Sequence, residues 1–302
     1  MTEILIHAIG KTIVIPSSWD EMTDENVRFV FQTLDDSIRT QKSTLDMNIL
    51  ILYHLMNVEF SSNTRLTSRL FPDRAQRIAE NTFRLCQECL AFLFKEKEDR
   101  ETVELSYNLI RNSLPVLKTR SLIGRLLVGP AEALQDLTFG EFRRAIAAQQ
   151  AFFKSKDVAD LDEMIAHLYR PRSRKANKAG RFVKPLRTEC FAKEVKKIAS
   201  IDSWKKNLIL MWFSNCINFL QTGKLTINGE EMDMAALFSG GSDAGGPSFG
   251  WNDLAIQIAR DNIVGNVADV DEEPLFSIIS IMWTNNKENK KYESLHKAAK
   301  SK

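Results

Sequence analysis

The chain has 302 residues, 44% hydrophobic and 26% charged, with a net charge of +2. That is enough chain for one large or two ordinary domains, and the composition is that of a soluble globular protein. The near-neutral balance excludes a global basic field directed at nucleic acid, and four cysteines (Cys86, Cys89, Cys190, Cys216) do not make a dense disulfide framework.

The opening MTEILIHAIGKTIVI lacks a basic segment followed by a long apolar one, so no secretory signal is expected. Two short apolar runs, 3–8 and 11–15, flank Gly10 and predict a β-hairpin that Pro16 stops. Ser18 and Glu21 have capping-box spacing, which predicts a helix start, and Val27, Phe29, Val30, Phe31 and Leu34 carry helical spacing over 25–40. Residues 45–60 are apolar on every side, as in a helix buried all round, with His54 read as a core histidine. A helix is predicted over 73–95, with Ile78, Thr82, Leu85, Cys86, Cys89 and Leu93 on one face. Another is predicted over 101–118, ended or bent by Pro115.

After the Gly129-Pro130 turn, Thr138 and Glu141 form a capping box. Phe142, Ala145, Ile146, Gln149 and Phe153 share one helical face; Leu161, Met164, Ile165 and Leu168 share another. The two helices predict a hairpin across Lys154–Asp157. Helix resumes near Phe191 and runs, with a break around Ser200, to Leu220. The apolar run 207–220 is short for a membrane span. Asn228-Gly229 marks a small hairpin within 224–234. Trp251, Leu254, Ala255, Ile258 and Ala259 make an amphipathic helix, and Pro274 opens a last helix through Trp283, followed by a charged tail that frays. The expected fold class is mainly α, with a short N-terminal β-hairpin and a second near 224–234. The expected divisions are a helical domain 1–170, a basic linker 171–188, a core helix and hairpin 189–238, a glycine-rich flexible joint 239–250 and a C-terminal helical pair with its tail, 251–302.

Few motifs carry chemistry. Residues 241–248, GSDAGGPS, approach the phosphate-loop pattern, but Pro247 stands where the lysine is needed. Ser242 is followed two residues later by Ala244, so the stretch also fails as a nucleophile elbow. Cys86 and Cys89 have C-x-x-C spacing without a second pair, and packing is the reading preferred over metal or redox chemistry. Asp269, Asp271, Glu272 and Glu273 would need glycine where Pro274 stands to form a calcium loop, and helix initiation is preferred. His7, His54, His167 and His296 are scattered. No catalytic residue, metal site or cofactor is expected.

The basic stretch 170–187 holds Arg170, Arg172, Arg174, Lys175, Lys178, Arg181, Lys184 and Arg187 and no acid. Its readings are a solvated loop, a surface for an acidic protein, or a nucleic-acid contact with Tyr169 and Phe182 as stacking groups.

Three stretches carry a resemblance to a family. IVIPSSWDEMTDENVRFVFQTL (13–34) resembles the start of phage and prophage tail-region proteins. LTFGEFRRAIAAQQAFFKSKDVADLDEMIAHLYRP (137–171) looks like a segment of virion-assembly proteins of Bacteroidetes-type phages and mobile elements. FGWNDLAIQIARDNIVGNVADVDEEPLFSIISIM (249–282) resembles the Trp-led helix pair of tail-assembly chaperones. The resemblance implies a non-enzymatic, chaperone-like or structural protein in the bacterial host cytoplasm or the virion. Its partner would be a phage structural protein such as a tape measure or tail component, or a second copy, with no membrane involved. The strip this implies for the partner is Trp251, Leu254, Ile258, Phe276, Ile279 and Trp283, the alternative being that these six form the core of the C-terminal pair. Two other functions compete: a nucleic-acid-binding accessory protein using 170–187, and an enzyme whose site leaves no motif.

Overall fold

The computed structural model describes residues 1–6, 11–58, 72–96, 103–119, 126–186, 188–227, 229–235, 251–261 and 263–300. The protein is mainly α-helical with small antiparallel β-hairpins, as its periodicity predicts. It divides into two compact units, Met1–Leu109 with Asp202–Trp212, and Ile110–Ile201 with Phe213–Lys302.

The first unit opens with strands β1 (Thr2–Ile6) and β2 (Lys11–Ile15), paired antiparallel with Thr2 opposite Ile15. The capping-box spacing at Ser18 and Glu21 does not start a helix. Glu21 instead accepts hydrogen bonds from the Ser17 N–H at 2.7 Å and from the Met1 ammonium at 2.6 Å. Helix α1 (Asp24–Thr40) begins later, where Thr23 caps the Asn26 N–H and Asp24 and Glu25 meet the positive helix end. Helix α2 (Thr44–Leu55) follows, with Met47, Ile51, Leu52 and Leu55 buried but Leu45 exposed, so it is covered on one side only. His54 stacks on Phe29 at 3.6 Å between ring centroids, and burial lowers its pKa.

Helix α3 (Pro72–Cys89) is shorter than its apolar pattern predicts, and strand β3 (Phe94–Glu96) pairs with β4 (Val103–Leu105). Trp19 centres this unit. Its ring lies 6.4, 6.3 and 5.1 Å from those of Phe31, Phe92 and Tyr107, and its indole N–H reaches Ser106 Oγ at 3.4 Å. Such tilted and edge-on aromatic packing adds to the burial of large apolar area.

Over the described residues 103–118 the expected helix 101–118 is absent. Val103–Leu105 is strand, and Val116–Lys118 is strand β5, paired with β6 (Leu126–Val128), which pairs in turn with β7 (Arg170–Pro171). Pro115 and the Asn112–Ser113 pair defeat helix here. Asn112 caps its own turn by accepting from the Leu114 N–H at 2.9 Å, and its amide donates to the Pro130 carbonyl at 2.8 Å.

In the second unit α4 (Phe139–Ser155) and α5 (Val158–Leu168) form the predicted hairpin. Thr138 and Glu141 make both capping-box bonds, Lys156 takes the left-handed turn at φ 59, and Asp157 caps α5. Helix α6 (Thr188–Ala199) packs on α5. Helix α7 (Ser203–Thr222) ends in this unit and is followed by the hairpin β8 (Lys224–Ile227) and β9 (Glu230–Asp233). Helices α8 (Trp251–Arg260) and α9 (Val267–Glu272) precede α10 (Leu275–Lys300), which continues well past Trp283. Its Lys-, Glu- and Ala-rich second half has strong helix propensity. Asp269 is a helix-start acid, completing the Asn266 capping box of α9. The start of α10 is tied to the start of α4: Phe139 N–H donates to the Glu273 carbonyl at 2.8 Å, and Leu275 N–H to the Leu137 carbonyl at 2.9 Å.

The segment read as a linker belongs to the body of this unit. Arg172 bridges Val183, Lys184 N–H donates to the Pro171 carbonyl at 2.8 Å, and Val183 is 3% exposed. Its turn lies at Asn177–Arg181, with Gly180 at φ 82, and the division of the chain falls elsewhere. The glycine-rich joint 239–250 lies outside the described residues.

Candidate functional site

Of the seven described basic residues of the stretch, two are buried. Arg170 is 5% and Arg181 2% exposed. Both face Glu141, which is itself buried: Arg170 Nη2 contacts Oε1, and Arg181 Nη1 lies 3.6 Å from Oε2. Arg181 also lies 4.0 Å from Asp136 and donates to the Val128 and Leu168 carbonyls. Burial pulls the pKa of Arg170 down to about 9 and that of Arg181 to about 10, so both remain charged at neutral pH. Beside them the buried Tyr169 hydroxyl sits 2.8 Å from the Leu114 carbonyl and 3.2 Å from Asn112 Oδ1. This cluster pins the 170–186 segment to the start of α4, and it explains why those two arginines are not available to a phosphate backbone.

Lys178 is taken by Glu273 at 3.1 Å and Glu272 at 3.6 Å. Arg172, Arg174, Lys175 and Lys184 are exposed, and Arg187 lies outside the described residues. A surface of four cations is what the basic stretch leaves for a partner.

The C-terminal residues divide in a similar way. Ile258 and Ile279 are buried, at 2% and 0% exposure, in the interior of the unit. Trp251 packs edge-on against Phe142 at 4.8 Å and Phe139 at 6.2 Å. Trp283 donates its indole N–H to Glu230 Oε1 at 3.1 Å, with Lys287 Nζ 5.6 Å over its ring. Leu254 and Ile258 line a small groove of about 170 Å³ against Met282, Asn285 and Asn289. On the other flank of α10, Phe276 and Ile281 line a groove of about 590 Å³ with Ile227, Ile263 and Ser280. Phe276 and Ile227 also line the adjoining recess of about 510 Å³, which reaches Ala133, Phe219 and Leu225.

No family model, curated protein or solved structure matches this chain. The site therefore rests on its own chemistry.

Sequence reasoning missed a third feature, a cleft of about 460 Å³ walled by Ala147 and Ala151 of α4, Glu163 and His167 of α5, and Thr188 and Phe191 of α6. His167 is 4% exposed and stacks on Phe191 at 4.6 Å, its Nε2 3.7 Å from Glu163 Oε1. Burial, reinforced by the Arg144 charge, lowers its pKa to about 4, so it is neutral at pH 7. The i,i+4 spacing of Glu163 and His167 was legible, but not the arrival of Phe191 from another helix.

Asp271, read as a helix-start residue, instead receives Arg143 at 2.8 Å and Arg144 at 3.1 Å, which ties α9 to α4. Cys86, Cys89 and Cys216 are buried and Cys190 is exposed; burial raises Cys86 to about 11 and raises Cys89 and Cys216 as well. Among the described residues no group of three or more His, Cys, Asp or Glu is arranged to hold a metal ion, and no helix is long and apolar enough to cross a membrane.

Proposed function

We propose that this chain is a non-enzymatic assembly or structural protein of a phage-like particle, acting as tail-assembly chaperones do. It would hold a helical segment of another virion protein, such as a tape measure, in the host cytoplasm or in the particle. The observation that carries the reading is the apolar groove along α10, where Phe276 and Ile281 are half-buried and Ile263 is 44% exposed. From Phe276 to Asn285 this wall runs about 14 Å, long enough to receive two to three turns of a partner helix through anchors at i, i+4 and i+7. The small Ser277, Ser280 and Thr284 on the same wall permit close approach of that helix.

The test is affinity capture of the full chain from its native cells, at low and high salt, with nuclease in parallel. A helical virion protein that survives both treatments, and that Ile281→Asp fails to retain, is the expected result. Recovery of nucleic acid lost at high salt would instead favour the second reading, in which Arg172, Arg174, Lys175 and Lys184 contact phosphates. No partner under either condition would overturn both.

A further inference from the structure

We propose that the cleft of about 460 Å³ between α4, α5 and α6 binds a small organic ammonium ion, a primary amine on a short apolar body, with Glu163, Asp160 and His167 receiving the charged end. That volume lies within the ~300–1,000 Å³ range of small-molecule sites. Helical spacing builds the two long walls. Ala147, Ala148 and Ala151 follow Arg144 at i+3, i+4 and i+7 on one face of α4, so that wall is short-chained and apolar. Asp160, Glu163 and His167 stand at i, i+3 and i+7 of α5 and line the same cleft with two carboxylates and an imidazole. Leu186 and Phe191 complete it. The proposal is independent of the partner-binding groove along α10.

His167 supplies the decisive observation. It is 4% exposed, yet neither ring nitrogen hydrogen-bonds to any described residue. Nδ1 is sealed in, whereas Nε2 is the edge that meets the cleft, and it stands 3.7 Å from Glu163 Oε1, beyond hydrogen-bond distance. A buried polar group left unbonded is costly. Burial holds the ring neutral at pH 7, with a pKa lowered to about 4, so a nitrogen lone pair is there to accept. A donor seated between Nε2 and Oε1 would bond to both, and an ammonium is all donor and no acceptor. The charge of the lining selects the same ligand. Glu163 is about half exposed, with His167 as its ion-pair neighbour among the described residues, and Ser155 engages only Oδ2 of Asp160. The cation of the lining, Arg144, is held by Asp271 at 3.1 Å, outside the cleft walls. Phe191, stacked on His167 at 4.6 Å, adds an aromatic surface of the kind that favours cations. The alanine wall leaves room for an apolar body: from Asp160 to His167 the cleft runs about 10 Å, the length of a phenylethyl amine.

The experiment titrates the native full chain at pH 7 with phenylethylammonium chloride in a calorimeter, at constant ionic strength. Phenylethyl alcohol and phenylpropionate, which keep the apolar body and change the head group, are the controls. The ammonium is expected to bind saturably, and both controls at least about tenfold more weakly. Glu163→Gln is expected to raise the Kd about tenfold, as loss of one charged contact would. Ala147→Phe, at an exposed position of the apolar wall, should fill the cleft and abolish binding. No saturable binding of the ammonium, equal affinity for the alcohol, or a Kd unchanged in both variants would overturn the proposal.

Discussion

Replacing Glu141 by glutamine keeps its shape and leaves an oxygen to accept from the Thr138 N–H, a bond of 3.2 Å in the native protein. It removes the charge that Arg170 and Arg181 share. Asp136, 4.0 Å from Arg181 and more exposed, would then be left to offset that guanidinium, and Arg170 would lose its carboxylate partner. Breaking a buried pair from one side costs about 3–5 kcal/mol, because an uncompensated charge stays behind. The cap itself contributes about 1 kcal/mol and largely survives in glutamine. The expected loss is therefore about 3 kcal/mol, which raises amide exchange from globally protected sites by about 100-fold. Hydrogen exchange of α4 and α5 measures it, with Thr138→Ala as the cap-only control at about 1 kcal/mol. A Glu141→Gln effect no larger than that of Thr138→Ala would refute the reasoning and mean that the guanidiniums do not depend on this carboxylate.

His167 has a folded pKa near 4 against an unfolded value of 6.5, so the folded state binds fewer protons between them. The neutral imidazole's contribution is complete above pH 6.5 and falls as pH drops toward 4, by at most about 3 kcal/mol; urea unfolding against pH should show that slope, and His167→Gln should flatten it. Gly140→Ala places a Cβ 2.7 Å from Asp271 Cβ and Cγ, so a loss of about 1–3 kcal/mol is expected, with exchange rising in α9. Combined substitution of Arg172, Arg174 and Lys175 by alanine should change the unfolding free energy from urea titration by less than about 0.5 kcal/mol, whereas Arg181→Ala should cost about 3–5 kcal/mol.

The α4–α5 hairpin was legible because caps, turn and apolar spacing agree: Thr138–Glu141, Lys156 and the Leu161–Leu168 face all point to one structure. The strands at 103–105 and 116–118 were not, because short apolar runs without alternation suit either element, and pairing with Leu126–Val128 and Phe94–Glu96 decides them. The 170–187 stretch misled for a different reason. Charge density suggests a solvated linker, but two of its arginines find an acid 29 and 40 residues earlier in the chain, a partnership that no local pattern records. The cleft walls come from three helices, and only the contributions of single helices show in sequence.

The most direct test of the partner-binding account places a photo-cross-linking amino acid at Ile281 and irradiates native cells. The account predicts a cross-link to a distinct helical virion protein at residues along the groove, and none from the same group placed at exposed Val116. Cross-links to nucleic acid, or equal yields from both positions, would contradict it.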